Sequence, residues 1–298
     1  MRLTDSQRLI IYYFNSVSNG FSICGCLFIC GMYLKFIELR TFPFRLIFVL
    51  SIFDIFSSIG YMLPTFDLYD DDALCQIQGA VINMFTLASA LWAGIIAFSL
   101  YYIIVKSNFY IQSYMRYFII GVFTLSIIVT IIPFTSRTYG TVAGWCWIKQ
   151  DGSYDISFYE RYILFFVPMW LLVIINGVLY MKVSKCLKNS DDPDGARSEL
   201  NRKLKFYPMI LIICFLPYTI KSSLEFKNES FTIRHDFELT IVVGTIRGMH
   251  GFLNAFVYGF TKKVRNALNA RVAANDTEIS IMLPASENDP KSFIKEMK

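Results

Sequence analysis

The chain has 298 residues, 55% of them apolar and 17% aromatic against 17% charged, with a mean hydropathy of +0.46 and a net charge of +5. That balance excludes an ordinary soluble globular domain. The positive charge calls for no nucleic-acid partner, because lysines and arginines facing anionic lipid account for it.

The class is decided by whether the apolar residues gather into uncharged runs of roughly 20, the length that crosses about 30 Å of hydrocarbon. Seven such runs occur in chain order: Leu9 to Tyr33, Leu46 to Leu63, Gln78 to Val105, Tyr117 to Phe134, Tyr162 to Met181, Phe206 to Leu224 and Leu239 to Phe260. The second and fourth are short, but charged or turn-forming residues bound each, so neither merges with a neighbour. The expectation is an all-α membrane protein, a seven-transmembrane helix bundle. About eight residues precede the first run, without the pattern of a cleaved signal, so it reads as a retained anchor.

Lysine and arginine in the short connections orient the bundle. One side carries sixteen, from Lys35, Arg40 and Arg45 through Lys106 and Arg116, the group from Lys182 to Lys205, and Lys262, Lys263, Arg265 and Arg271. The other carries eight, and its first loop is acidic, with Asp67, Asp70, Asp71 and Asp72. The N-terminus is expected outside and the C-terminus inside. Residues 1–272 form the membrane domain and 273–298 a polar, disordered cytoplasmic tail.

Of seven cysteines, Cys24, Cys26, Cys30 and Cys214 fall within runs and Cys186 inside, which leaves Cys75 and Cys146 on the oxidising side. A bridge between them would pin the loop after the fourth run across the outer mouth, worth about 4 kcal/mol in the chain-entropy model. The alternative is two separate thiols near the interface. Cys146 stands between Trp145 and Trp147, which either belong to the interfacial aromatic belt or face whatever enters the bundle.

Charged groups at membrane depth need a partner or a wet cavity. Asp54 and Arg247 are the deepest, within roughly a turn of the same depth at 1.5 Å per residue. They either pair, or Asp54 bonds Asn254; a polar cluster that touches no ligand is equally open. Glu160, Lys221 and Glu225 lie near run ends and are expected to snorkel. Gly244, Gly248 and Gly251 form a small-residue face for close helix packing. Pro133 ends the fourth run, Pro168 lies inside the fifth, and Pro208 and Pro217 lie near the two ends of the sixth, a possible hinge. After the seventh run, Phe260, Val264, Leu268 and Val272 recur every four residues in a basic stretch, the pattern of an amphipathic helix on the inner leaflet.

CQIQG (Cys75 to Gly79), Leu91-Trp92, GWCWI (Gly144 to Ile148) and NAFVYGF (Asn254 to Phe260), set on seven runs, together resemble G-protein-coupled receptors. More narrowly they are similar to the slime-mould cyclic AMP receptor group, near the secretin-like class, over about residues 8 to 270. The resemblance implies a plasma-membrane receptor with an extracellular N-terminus, a pocket open to an unknown extracellular ligand, a Cys75–Cys146 bridge and no cofactor or enzymatic chemistry. It also implies a heterotrimeric G protein as partner, engaged when the sixth helix swings outward. The G-protein-facing residues would be Lys106, Arg116, Lys185, Arg202, Lys203, Lys205, Lys262 and Lys263. Asp54, Trp92, Trp145, Trp147, Arg247 and Asn254 are the candidates for the pocket or for a core polar cluster.

Departures narrow the resemblance. The third run ends LYYIIVK without an acidic-arginine-tyrosine motif, and Ala255 stands where rhodopsin-like receptors have proline. The short N-terminus leaves no room for a cysteine-rich hormone-binding domain, and the acidic first outer loop argues against a phosphate-bearing ligand such as cyclic AMP. A seven-span transporter of a small solute is the alternative, but repeated halves are missing. A retinal protein would need a lysine in the last run, and His235 and His250 form no catalytic motif. Asn228 in N-E-S is the expected glycan site, and Asn275 in N-D-T is expected inside and unmodified.

Overall fold

The computed structural model describes residues 3–65, 72–149, 155–188, 206–226, 235–259 and 264–269. Helix α1 (Asp5–Lys35) opens on a capping box, in which the Gln7 amide donates to Thr4 Oγ1 at 3.3 Å and the Thr4 amide donates to Gln7 Oε1 at 3.0 Å. Its last carbonyls are met by Arg40, whose Nη2 donates to the Leu34 carbonyl at 2.7 Å. Helix α2 (Phe42–Met62) starts with proline in its first turn, where a missing N–H costs nothing. There follow α3 (Ala73–Ile104), a 3₁₀ turn (Phe109–Tyr114), α4 (Met115–Thr135), strands β1 (Tyr139–Val142) and β2 (Trp145–Ile148), α5 (Ile156–Lys188), α6 (Phe206–Phe226), α7 (Asp236–Gly248) and α8 (His250–Gly259).

Among the described residues five helical segments are long and apolar enough to cross a membrane: α1, α2, α3, α4 with its leading turn, and α5. These coincide with the first five apolar runs. The sixth run corresponds to α6, and the seventh is divided at Met249 into α7 and α8 rather than continuous. Two further expectations change. The fold is not all-α, because β1 and β2 form an antiparallel hairpin. Pro217 lies in the middle of α6, not near its end. In α5 the turn before Pro168 widens into a π segment, Glu160–Phe166, where a proline cannot donate to the carbonyl four residues back.

Helix α3 is the central column, packed against α2, α4, α5 and both strands. One apolar cluster joins the hairpin to α3, α5, α6 and α7, with Trp147, Phe165, Phe166, Met169 and Phe215 in it. A second joins α2, α3 and α4 around Phe53, Trp92 and Val122. Long apolar side chains such as Phe21, Ile128 and Ile174 point outward, as they do on helices solvated by hydrocarbon.

Helix α1 meets α7 and α8 through the glycine face read from the sequence. A Cβ on Gly248 would lie 2.2 Å from Ser18 Oγ, and one on Gly251 would lie 2.5 Å from Ser22 Oγ and 3.1 Å from Asp54 Cβ. The approach lets Ser22 Oγ accept from the Phe252 amide at 3.0 Å and Cys26 Sγ donate to the Gly251 carbonyl at 3.6 Å.

Compact packing extends over Met1–Gly259, and Phe260–Lys298 forms a separate unit. In the latter, 264–269 is helical, with Val264 and Ala267 buried and Leu268 exposed. The basic stretch is thus helical over these residues, as the four-residue recurrence of Val264 and Leu268 led one to expect. Phe260, Lys262, Lys263 and Val272 lie outside the described residues.

Replacing Gly251 by leucine is expected to force α1 and α2 away from α8 and to lower stability by about 1–3 kcal/mol, the usual scale of overpacking. Gly20→Ala, on a face with nothing within 4 Å, is the control. Thermal unfolding of the detergent-solubilised chain measures both; equal midpoints for the two variants would refute the close-packing role.

Candidate functional site

The hairpin is built by its own residues. Ala143 and Gly144 both take positive φ, +48° and +108°, the two-residue turn whose twist suits antiparallel strands. Gly144 is also confined, since a Cβ there would lie 3.1 Å from the Arg8 carbonyl. Across the turn Thr141 faces Cys146, and Cys146 is joined by a disulfide to Cys75 in the first turn of α3. One helical turn further on, Gln78 is wholly buried and saturates its amide. Its Oε1 accepts from the Cys146 amide at 2.6 Å and from the Thr65 hydroxyl. Its Nε2 donates to the carbonyls of Gly60 at 2.9 Å and Leu63 at 3.2 Å. The end of α2, the start of α3 and β2 are thereby tied at one point.

Both tryptophans beside the bridge are buried, Trp145 at 4% and Trp147 at 2% exposure, so neither is a membrane-belt residue. Trp147 donates from Nε1 to Asn83 Oδ1 at 3.2 Å, and its ring is enclosed by Phe165, Phe166 and Tyr218. The Arg161 guanidinium lies 5.0 Å from that ring and donates to the Ile148 carbonyl and, at 3.2 Å, to Ser222 Oγ. Trp92 is also buried, but it serves the α2–α3 contact, donating to the Leu46 carbonyl at 2.7 Å and meeting Phe53 edge-on.

The groups expected to snorkel are instead paired. Glu160 accepts from Ser136 Oγ at 2.5 Å and from Thr138 Oγ1, closing α4 onto α5. Lys221 on α6 is buried between Glu225 and Asp236, with Asp236 Oδ1 2.8 Å away on α7. In the hairpin, burial pushes the Tyr139 hydroxyl well above the ordinary phenol range, so it stays a neutral donor to the Thr130 carbonyl at 3.1 Å.

A polar cavity lies between α1, α2, α3, α6, α7 and α8, lined among others by Asn19, Asp54, Ser58, Tyr61, Thr86, Ser89, Phe215 and Arg247. On one side of it Asp54 is fully engaged. Ser89 Oγ donates to Oδ1 at 2.5 Å, Asn254 Nδ2 donates to Oδ2 at 3.0 Å, and His250 Nδ1 lies 3.3 Å from Oδ1. Of the two partners the sequence left open, Asp54 takes Asn254, and Arg247 turns away. Its guanidinium carbon sits 3.2 Å from the Tyr61 ring centroid and 5.6 Å from that of Trp145. Trp145 thus packs from the hairpin behind two residues of the cavity wall, Arg247 and Tyr61, and none of Trp92, Trp145 and Trp147 lines the cavity itself.

At the far end of the bundle, Cys186 Sγ donates to the Ile104 carbonyl at 3.7 Å and Lys182 lies over the Tyr101 ring at 5.6 Å, bringing the ends of α3 and α5 together. Lys106, Arg116 and Lys185 are exposed there. Arg202, Lys203, Lys205 and Asn228 lie outside the described residues.

The sequence also has known relatives. The family model described as slime mold cyclic AMP receptor matches residues 4–270. The chain belongs to that receptor family. Among relatives, the Arabidopsis thaliana protein named G-protein coupled receptor 1 is 31% identical over 287 residues, covering 91% of this chain and 84% of that protein. Cyclic AMP receptor-like protein A of Dictyostelium discoideum is 29% identical over 87% of this chain and 65% of its own length. The ascaroside receptor GPR2 of Arthrobotrys oligospora is 28% identical over 49% of this chain and 37% of its own. Family membership accounts for the several apolar helices as those of a multi-pass membrane receptor.

Sequence reasoning missed Ser89, His250, Tyr61 and Gln78. Gln78 stood in the quoted CQIQG, but only the fold shows that its amide faces the bridge. His250 was discounted for want of a catalytic motif, although its spacing of four from Asn254 places both on one helical face.

Cys75→Ser and Cys146→Ser are each expected to lower surface expression several-fold, in line with the roughly 2–5 kcal/mol that native disulfides contribute. The double variant should be no worse than either single. Flow cytometry of an epitope-tagged chain reads this, and additive losses would contradict a shared role.

Proposed function

We propose that this chain is a plasma-membrane receptor of seven spans, formed by α1 to α6 and by α7 with α8 in line, which passes an extracellular signal to a heterotrimeric G protein. The family match over residues 4–270 carries the reading. The hairpin end would face outside, with the N-terminus, and the end bearing Lys106, Arg116 and Lys185 would face inside, following the lysine and arginine asymmetry of the connections. The ligand would enter beneath the hairpin and reach the cavity of Asp54, Tyr61 and Arg247. Its effect would be a population shift, because an agonist moves the equilibrium only by binding the signalling state more tightly than the resting one. The buried Asp54, held by α3 and α8 together, is suited to register that shift, since its three partners lie on helices that must move as a set to keep them all. Pro217, at the centre of α6, removes a backbone donor where that helix would bend if it swings.

A G-protein dissociation assay in a heterologous cell, scanned across Gα classes with small metabolites and nucleotides, is expected to give a basal or ligand-dependent signal. Silence across all classes together with measurable solute flux would replace the receptor by a transporter.

Orientation has its own test. Endoglycosidase treatment should shift the mobility of the wild-type chain and of Asn275→Gln, but not of Asn228→Gln. A glycan at Asn275 would invert the topology.

A further inference from the structure

Arg247 is 5% exposed, yet its Nε and Nη2 are buried and have no hydrogen-bond partner among the described residues. A guanidinium in hydrocarbon without a counterion costs several kcal/mol on insertion scales, so such a group marks a site whose partner has to be named. Aromatic rings account for its faces, with Tyr61 at 3.2 Å and Trp145 at 5.6 Å. They leave its plane open. Nε and Nη2 are the two donors of one edge, side by side and parallel, the geometry that grips both oxygens of a carboxylate or phosphate.

Among the described residues no such partner lines the cavity. Asp54 is the one acid among its described lining residues, and both its oxygens are taken by Ser89, His250 and Asn254. The cavity therefore holds a satisfied anion on one wall and an unsatisfied cation on the other. The Ser58 hydroxyl lines the same space and suits one of an oxyanion's remaining lone pairs, whereas the Thr86 hydroxyl is already bonded to Ser57 Oγ at 2.8 Å.

We propose that the Nε–Nη2 edge of Arg247 is an oxyanion anchor, receiving the carboxylate or phosphate group of the ligand beneath Trp145. The assignment of that group to a ligand rests on the receptor reading; the anion site itself does not.

The full chain is purified in a neutral maltoside detergent, and its thermal midpoint is followed in sodium acetate and in sodium phosphate, each against sodium chloride at equal ionic strength. Wild type should be stabilised saturably by at least one of the two oxyanions, and which one identifies the group. Arg247→Lys, which keeps the charge but loses the paired edge, should weaken the apparent affinity by about tenfold or more, the scale of one charge-assisted hydrogen bond. Arg247→Gln should abolish the shift. The proposal is overturned if neither oxyanion moves the wild-type midpoint, or if Arg247→Lys responds as wild type does. These measurements need no signalling, so an oxyanion shift without any G-protein signal would retain the anchor and reject the receptor, and the converse would reject the anchor alone.

Discussion

Inside a bundle solvated by lipid, a buried polar group has little water to turn to, and a charged or amide group left without a partner is costly. The architecture follows from where those partners are found. Gln78 uses both ends of its amide to hold α2, α3 and β2. Glu160 closes α4 onto α5, Lys221 closes α6 onto α7, and Asp54 joins α2 to α3 and α8. Apolar packing between these points is adaptable, because lipid tails compete with it on equal terms; the polar points are what give the helices one register.

The disulfide acts at the same end for a different reason. It holds β2 against the first turn of α3, and the Gln78 amide one turn deeper repeats the constraint without a covalent bond. The hairpin is thereby carried over the bundle with its tryptophans pointing in. Trp147 completes an aromatic wall of α5 and α6, and Trp145 roofs Arg247. A strand pair of four residues each would be marginal alone, so its order derives from this burial.

The cavity below joins rigid and adjustable parts. The α1 face of Asn15, Ser18, Asn19 and Ser22 is in close contact with glycines of α7 and α8, leaving little freedom there. Arg247 is held differently: among the described residues its guanidinium meets ring faces, and it sits two residues before the break at Met249. A charge whose partner is not built into the fold, next to a discontinuity in its helix, is where an incoming group changes the energy of the molecule most.

The first five apolar runs and the pairing open to Cys75 and Cys146 were legible in the sequence, because hydrocarbon thickness sets run length and the redox side sets which thiols can pair. So was the glycine face, since spacing alone puts Gly244, Gly248 and Gly251 together. What the tertiary structure decided was the partner of each polar residue. Depth along a helix placed Asp54 and Arg247 near one another, but rotation about the helix axis, set by all the packed neighbours at once, gave Asp54 to Ser89, His250 and Asn254 and gave Arg247 to Tyr61 and Trp145. The hairpin was hidden for a similar reason: four-residue strands in a polar stretch carry little periodicity, and burial of Trp145 and Trp147 depends on helices that come far before and after them in the chain.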